Sequence, residues 1–237
     1  MKKLSLFIIT ILVVGFARSQ ERNVPATADY LNGIKTELTT VFPKNRTINL
    51  VFHGHSVPTG YWSGSKVHTL ESYPQLLLRK LKSEYPYAVI NIITTSIGGE
   101  WAEKGEKRFK EDVLPYKPDV LFIDYALNDM GIGLERSELA WGKMIEEAVS
   151  KNIKVILVTP SPDQRQDIRD KNNVLALHAK QIRKLAAKYQ VGLADPFSRF
   201  QKIAKAKGSV EDYMSHINHP NEKGHNLIAE ELFKWFK

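Results

Sequence analysis

The sequence predicts a three-layer α/β/α domain built on a parallel sheet of five strands. Strand-like apolar runs alternate with helix-like amphipathic segments along the chain. The apolar runs are continuous, without polar residues at every second position, which is typical of parallel strands covered by helices on both faces. The 237 residues are interrupted by no repeat, low-complexity tract or linker. At roughly 100–200 residues per domain, this length indicates one domain.

The elements of the N-terminal half follow from local patterns. A helix is predicted over 26–41, where apolar residues recur at helical spacing, and Pro43 predicts its end. The run INLVF at 48–52 predicts the first buried strand, because it is short, apolar and followed by a polar turn that contains glycine. A second helix is predicted over 72–84. The run YAVINIIT at 87–94 predicts the second strand, which leads into Ser96-Ile97-Gly98-Gly99.

The C-terminal half repeats this alternation. The run VLFIDY at 120–125 predicts the third strand, and IKVILV at 153–158 predicts the fourth. A shorter run at 191–195 predicts the fifth. Helices are predicted over a charged segment at 100–113 and over 134–151. A long amphipathic helix is predicted over 172–189, and a final helix over 222–236.

The N-terminal segment has the pattern of a secretory signal peptide rather than of a folded element. Lys2 and Lys3 precede an uncharged apolar run over 4–16, and small residues then lead to a cleavage position before Gln20. We therefore expect a signal peptide at 1–19, a mature domain at 20–237 and a secreted or periplasmic protein without a stable membrane anchor. An uncleaved anchor is the alternative, although spanning a membrane takes about 20 apolar residues. A lipid anchor is not expected, because the cleavage position lacks cysteine.

Composition excludes several classes of function. The chain contains no cysteine, so it has no disulfide, no thiolate metal site and no cysteine nucleophile. The 34 basic and 26 acidic residues give a formal charge of +8, and loss of Lys2, Lys3 and Arg18 with the signal peptide leaves +5. This modest excess forms no basic stripe interleaved with aromatic residues, so nucleic-acid binding is not indicated.

Residues suited to acyl transfer follow the predicted strands. Ser56 comes after the first strand, Gly98 and Gly99 after the second, Asn128 after the third, and His219 near the C-terminus. Ligand sites of open parallel sheets lie beyond the carboxyl ends of the strands, so we expect these residues to share one rim. A serine hydroxyl with a histidine base makes a nucleophile, and backbone N–H groups or an amide can stabilise an oxyanion.

These blocks resemble those of the SGNH (GDSL-type) hydrolase superfamily. The four matching blocks occur in the family's order and at the expected strand ends, as Gly54-His55-Ser56, Ile97-Gly98-Gly99, Ala126-Leu127-Asn128-Asp129 and His216-Ile217-Asn218-His219. The resemblance covers the chain from about residue 46 to the end. It implies a flavodoxin-like fold, Ser56 as nucleophile and His219 as general base. It also implies an oxyanion hole formed by the N–H groups of Ser56 and Gly99 and the side chain of Asn128, with no cofactor.

Three positions depart from the family pattern. His55 stands where the family has aspartate, Ala126 where it has glycine, and His216 where it has the aspartate that orients the base. The first two positions make no bonds in the reaction. Because His216 cannot act as a carboxylate, we expect a Ser56–His219 dyad held by a backbone carbonyl, with Glu211 or Asp212 as alternative orienting groups.

The expected activity is the removal of short acyl groups, chiefly acetyl, from a small molecule or polysaccharide. Tyr61, Trp62 and Trp101 are candidate substrate contacts that could stack on a sugar ring, and the two tryptophans could equally be core residues. Two alternatives remain open. One is a metallohydrolase that uses the histidine clusters at 53–55 and 216–225. The other is a carbohydrate-binding protein of the same fold with little or no activity.

Overall fold

The structure confirms the predicted architecture of a five-stranded parallel sheet between helical layers. It is a computed structural model that describes residues 24–25 and 27–237, so the predicted signal peptide at 1–19 lies outside the described residues. The strand order is β2-β1-β3-β4-β5, and all neighbouring strands are parallel. The strands are β1 (Thr47–Gly54), β2 (Val89–Thr94), β3 (Val120–Asp124), β4 (Lys154–Val158) and β5 (Gly192–Ala194).

Helices connect the strands and cover both faces of the sheet. In the part of the chain that the structure describes they are α1 (Thr27–Tyr30), α2 (Asn32–Thr39), α3 (Ser56–Thr59), α4 (Tyr73–Glu84), α5 (Ala102–Asp112), α6 (Ala126–Asp129), α7 (Gly133–Ser150), α8 (Val174–Tyr189), α9 (Pro196–Lys207) and α10 (Glu222–Phe233). None of the helices within 27–237 is both long enough and apolar enough to cross a membrane.

Alternate residues of each central strand enter two separate apolar cores. In β3, Val120 and Phe122 pack on the side of α4, α9 and α10, whereas Leu121 and Ile123 pack on the side of α5 and α7. All four side chains are fully buried, and each such burial is worth about 1.5–3 kcal/mol. This two-sided burial explains why the central strands are continuous apolar runs.

Two details differ from the sequence prediction. The helix predicted over 26–41 is interrupted at Leu31, whose backbone leaves the helical region and separates α1 from α2. Helix α9 was not predicted, because only a short strand and Pro196 separate it from the preceding helix. Its apolar side is nevertheless regular: Phe197, Phe200 and Ala204 are buried, and Asp195 caps its first turn by accepting a hydrogen bond from Ser198 N–H.

Strand β2 is an edge strand and is only partly buried. Its inner neighbour is β1, and residues such as Val89 remain 46% exposed. The chain moves from β1 to β2 on one side and to β3 on the other, so the strand order reverses between β1 and β3. In sheets of this order, ligands bind at the carboxyl ends beside that switch point.

Candidate active site

Ser56 lies at the carboxyl end of β1 and begins the short helix α3. Gly54, two residues earlier, is required by close packing, because a β-carbon there would overlap the carbonyl oxygen of Asp124 on β3. The intervening His55 is extended and caps α3, since its side chain accepts a hydrogen bond from Val57 N–H. The strand therefore ends in a tight turn that presents the Ser56 hydroxyl at the switch point.

His219 is the residue that the fold brings to Ser56. Its Nε2 atom lies 2.9 Å from Ser56 Oγ, although the two residues are 163 positions apart in the chain. This is hydrogen-bond distance between a hydroxyl and an imidazole, the geometry needed for the imidazole to remove the hydroxyl proton. The sequence-predicted nucleophile and base are thus adjacent in the fold.

The environment of His219 favours its neutral form. Burial, followed by the nearby His55 and His216, lowers the pKa of the His219 imidazole from 6.5 to about 4. A base must be unprotonated to accept a proton, so His219 is competent throughout the neutral range. The same low pKa makes His219 a weaker base and, once protonated, a stronger acid.

No carboxylate orients the His219 ring within the described residues. His216 is exposed, its ring centre is 6.3 Å from that of His219, and no hydrogen bond joins them. Glu211 and Asp212 are also exposed and form neither an ion pair nor a hydrogen bond with His219. The expected backbone-carbonyl partner is likewise not seen, because within 27–237 no acceptor contacts Nδ1 of His219.

The base loop, residues 214–220, is instead held through its main chain. The carbonyl oxygen of His219 accepts hydrogen bonds from Ser215 N–H at 2.9 Å, Ser215 Oγ at 3.1 Å and His216 N–H at 3.3 Å. Gln164, in the loop after β4, donates its backbone N–H to Ile217 O and its side-chain amide to His216 O. These bonds fix the backbone that carries His219 and leave its ring to pack beside Ser56.

Asn221 closes the base loop against α10. Its side-chain amide donates to the carbonyl oxygens of Asp212 and Met214 at 3.0 and 3.3 Å, while its Oδ1 accepts from Gly224 N–H. One side chain therefore links the start of the base loop to the first turn of the helix that follows His219.

The predicted oxyanion groups lie at the start of α3, in the loop after β2 and in α6. Gly99 has a left-handed backbone, with φ of 77°, which favours glycine, and its N–H contacts no acceptor in the described part of the chain. Ile97 N–H donates to Gly54 O, which ties this loop to the end of β1. The Asn128 amide donates to Glu100 O at 2.8 Å, and its second N–H contacts no acceptor among the described residues.

The three candidate aromatic contacts occupy different positions. Tyr61 is beside the site: its ring centre is 6.4 Å from that of His219, and the ring faces Gly98. Trp62 stacks on His68 with ring centres 3.9 Å apart, and Trp101 is covered by the Lys104 ammonium at 4.0 Å. Tyr61 is therefore the aromatic residue that the fold brings to His219, and substrate contacts by any of the three remain a prediction.

The histidines considered as metal ligands are engaged elsewhere. The His53 ring contacts Thr95 Oγ1 at 2.8 Å and Gly105 O at 3.1 Å, and it packs against Phe109 and Tyr125. The His55 ring contacts Val57 N–H and the Asp124 carboxylate. Among residues 24–25 and 27–237, no three His, Asp or Glu side chains are grouped so that they could hold a metal ion.

Two buried carboxylates organise this region, and sequence reasoning missed one of them, Asp124. Asp129 accepts hydrogen bonds from Ala102 N–H, Ser137 Oγ and Trp141 Nε1, each at 2.7 Å, and so joins α5, α6 and α7 beneath the site. Asp124 is buried at the end of β3, next to His55. A carboxylate inside the apolar run VLFIDY was the available signal, because buried carboxylates require polar partners.

Comparison with known families gives a match over the stretch that contains the four sequence blocks. The sequence pattern of the GDSL-like Lipase/Acylhydrolase family matches residues 52–227, from within β1 to within α10. A curated relative, the uncharacterized lipoprotein YqeF of Bacillus subtilis (strain 168), is 36% identical over 83 residues. That match covers 31% of this chain and 33% of YqeF, so the chain spans about a third of that relative's length.

The fold is similar to those of two solved esterases. Axe2, an acetyl xylan esterase from Geobacillus stearothermophilus, superposes with a TM-score of 0.68 and 20% identity, over 80% of this chain and 94% of Axe2. A two-domain esterase, CEX, which is active on acetylated mannans, gives a TM-score of 0.70 and 20% identity, over 87% of this chain and 52% of CEX. At 20% sequence identity, the similarity to these two proteins supports a common fold and nothing more.

Proposed function

Because the chain belongs to the GDSL-like lipase/acylhydrolase family, we propose that it is an exported serine esterase that removes acetyl and other short acyl groups from carbohydrates. The family comprises hydrolases of acyl esters. Membership of the family therefore supports ester hydrolysis as the reaction class. The observation that carries the catalytic part is the 2.9 Å contact between Ser56 Oγ and His219 Nε2 at the switch point of the sheet.

The proposed reaction uses the two residues in turn. Ser56 Oγ attacks the ester carbonyl carbon while His219 Nε2 takes the hydroxyl proton. The tetrahedral intermediate collapses, His219 gives that proton to the departing alcohol, and Ser56 retains the acyl group. Water, activated by His219, then attacks the acyl-serine, releasing the acid and restoring the Ser56 hydroxyl.

The proposed oxyanion hole comprises the N–H groups of Ser56 and Gly99 and the Asn128 amide. Ser56 is the first residue of α3, so its N–H lacks a partner within that helix. The Gly99 N–H contacts no acceptor within the described residues, and Asn128 uses one amide hydrogen to hold the Gly99–Glu100 loop in place. Donors fixed before the reaction stabilise the developing oxyanion without a reorganisation cost.

Three observations support a carbohydrate ester over a long-chain lipid. The loop over 57–66 is short and mostly polar, unlike the apolar lid expected of a lipase. Tyr61 lies beside His219, where an aromatic ring can contact a sugar face. Both solved esterases of similar fold act on acetylated polysaccharides, and we infer a substrate of the same class.

The proposal of export depends on the sequence alone. The basic start, the apolar run and the small residues before Gln20 form the pattern of a cleaved signal peptide. N-terminal sequencing of the native protein tests it: a start near Gln20 is expected, and a retained Met1 contradicts cleavage.

A chain-length series of p-nitrophenyl esters, followed by acetylated xylan and mannan, tests substrate and activity together. We expect acetate to be hydrolysed fastest, with a steep fall by octanoate, and acetate to be released from at least one glycan. A maximum at octanoate, with no release from glycans, would indicate a lipid esterase. Glycan binding without hydrolysis, and without labelling of Ser56 by a serine-directed phosphonate, would indicate an inactive binding protein.

A further inference from the structure

His55 precedes the proposed nucleophile and stands where the family has aspartate. Its side chain is completely buried. Its Nδ1 accepts the Val57 N–H at 3.2 Å, which caps the helix that Ser56 begins. A ring nitrogen that accepts a hydrogen bond carries no proton, so the proton of the neutral ring lies on Nε2. Both the position and the tautomer of His55 are therefore tied to the turn that presents Ser56.

The protonated side of His55 faces a buried carboxylate. Nε2 is 3.3 Å from Asp124 Oδ1, an electrostatic contact that lacks the geometry of a hydrogen bond. Neither atom has another polar partner in the described part of the chain. The second oxygen of Asp124 accepts the Tyr73 hydroxyl at 3.0 Å. A buried carboxylate is costly unless it is paired, so this contact favours a ring position that keeps Nε2 facing Asp124.

The network continues to the helix that follows the base loop. Tyr73, at the start of α4, donates its backbone N–H to Nδ1 of His225 in α10 at 3.2 Å. His225 is also completely buried, six positions after His219. The series His55, Asp124, Tyr73 and His225 thus links the nucleophile turn, the end of β3, the start of α4 and α10.

His55 cannot serve as a second general base in this arrangement. One ring nitrogen is occupied by Val57 N–H and the other faces Asp124, so neither is directed to the Ser56 hydroxyl. We propose that His55 and Asp124 form a positioning pair, in which Asp124 fixes the His55 ring and the ring fixes the turn that holds Ser56 against His219. This inference rests on the proposed serine esterase reaction.

Two conservative substitutions separate the two contacts of His55. His55→Asn keeps an acceptor where Nδ1 lies, so it caps Val57 N–H, but it is too short to reach Asp124. His55→Gln keeps a donor toward Asp124 and loses the cap. Because a nucleophile displaced by about 1 Å can lose about 10²-fold in rate, we expect His55→Ala to lower kcat by about that factor with KM little changed. We expect the Asn and Gln variants to lose less than the Ala variant.

Variants of Asp124 test the other half of the pair. Asp124→Asn retains an oxygen for His55 and an amide for the Tyr73 hydroxyl, so we expect kcat within several-fold of the wild type. Asp124→Ala removes both and is expected to match His55→Ala. The double variant is expected to lose no more than the more damaging single variant, because coupled residues are non-additive. Additive losses would show that the two residues do not act as a pair.

His53→Gln is the matched control, since His53 lies two positions before His55 and is equally buried, but contacts Thr95 and Gly105 instead. It is expected to lower the melting temperature while leaving kcat within about twofold. All rates are measured well below each variant's melting temperature. If His53→Gln lowers kcat as much as His55→Gln, the effect of His55 is general destabilisation and the positioning role is wrong.

An activity-independent measurement separates failure of this inference from failure of the esterase proposal. Nitrogen NMR of the wild type is expected to show His55 with its proton on Nε2, and this signal is expected to shift in Asp124→Ala. An Nδ1-protonated His55 overturns the pair even if the protein is an active esterase. A wild type that neither hydrolyses esters nor reacts with a phosphonate refutes the esterase proposal and, with it, the catalytic role of the pair, even if the NMR signal shows the contact.

Discussion

Ser56 and His219 are expected to behave as one catalytic unit, because each is useless to the proposed reaction without the other. We expect Ser56→Ala and His219→Ala each to lower kcat by about 10⁴–10⁶-fold, and the double variant to be no worse than either single one. His216→Ala is the control: its exposed ring forms no hydrogen bond with His219, so substantial activity is expected to remain. Near-normal activity of Ser56→Ala would exclude the serine mechanism.

The pH dependence of kcat/KM reports on the same base. Since burial and its histidine neighbours lower the pKa of His219 to about 4, the base stays neutral above that pH. Activity is expected to be constant from neutral pH down to about 5 and to fall through an inflection near 4. Removing one nearby positive charge in His216→Ala is expected to move the inflection upward. An inflection near 6.5 would mean that His219 is more solvated than the structure indicates.

At the scale of secondary-structure elements, Asn221 offers a test of how the base loop is held. Asn221→Asp keeps the acceptor that caps α10 but loses the donor to Asp212 O and Met214 O, so kcat is expected to fall by about two- to tenfold with little change in melting temperature. Asn221→Ala loses the cap as well, and we expect a further decrease of about 2–4 °C.

These two variants distinguish loop positioning from helix stability. Equal kcat values for Asn221→Asp and the wild type would show that the main-chain bonds of Ser215 and Gln164 suffice to place His219. A melting temperature as low in Asn221→Asp as in Asn221→Ala would show that the donor bonds, rather than the cap, stabilise this region.

The elements were predictable to different degrees for physical reasons. The central strands are buried on both faces, so β1, β3 and β4 could be recognised as apolar runs, and Ser56 and Asn128 could be assigned to their ends. Helix α9 could not, because its apolar spacing begins directly at Pro196 after a three-residue strand. The meeting of Ser56 and His219 was inferred from the family order of the blocks, since local patterns carry no information over 163 positions.

The contacts of His55 show a second limit of sequence reasoning. The substitution of histidine for aspartate before Ser56 was visible in the sequence, but its meaning depends on Asp124 from a neighbouring strand. Only the register of β1 against β3, which pairs Gly54 with Asp124, brings the two side chains together. The absence of a carboxylate beside His219 was, in contrast, suggested directly by His216.

For the molecule as a whole, buried histidines predict sensitivity to acid. His53, His178 and His225 are fully buried, and burial lowers their pKa values to about 3, 4 and 3. In the unfolded chain they titrate near 6.5, so between about pH 6.5 and 4 the unfolded state binds more protons than the folded state. The free energy of unfolding therefore decreases as pH falls through this range, by up to about 1.4 kcal/mol per pH unit for each histidine.

Urea unfolding at pH 7.5, 6.0 and 5.0 tests this expectation. The midpoint is expected to decrease steadily, and His178→Gln is expected to flatten the decrease, because it removes one of the histidines whose pKa is lowered by burial. The exposed His216→Gln serves as the matched control and is expected to leave the slope unchanged. A midpoint that is constant down to pH 5.0 would contradict the prediction.

The long chain separation of Ser56 and His219 also bears on when the protein can first react. Ribosomes deliver the chain from its N-terminus, and all five strands precede His219. On the proposed mechanism, a nascent chain with a finished sheet has the Ser56 hydroxyl but lacks His219, so we expect it not to hydrolyse esters. We expect hydrolysis to begin only after the base loop and α10 have emerged from the ribosome and packed against the sheet. The onset of ester hydrolysis would then mark completed synthesis. It could be measured on stalled ribosomes that carry chains of increasing length.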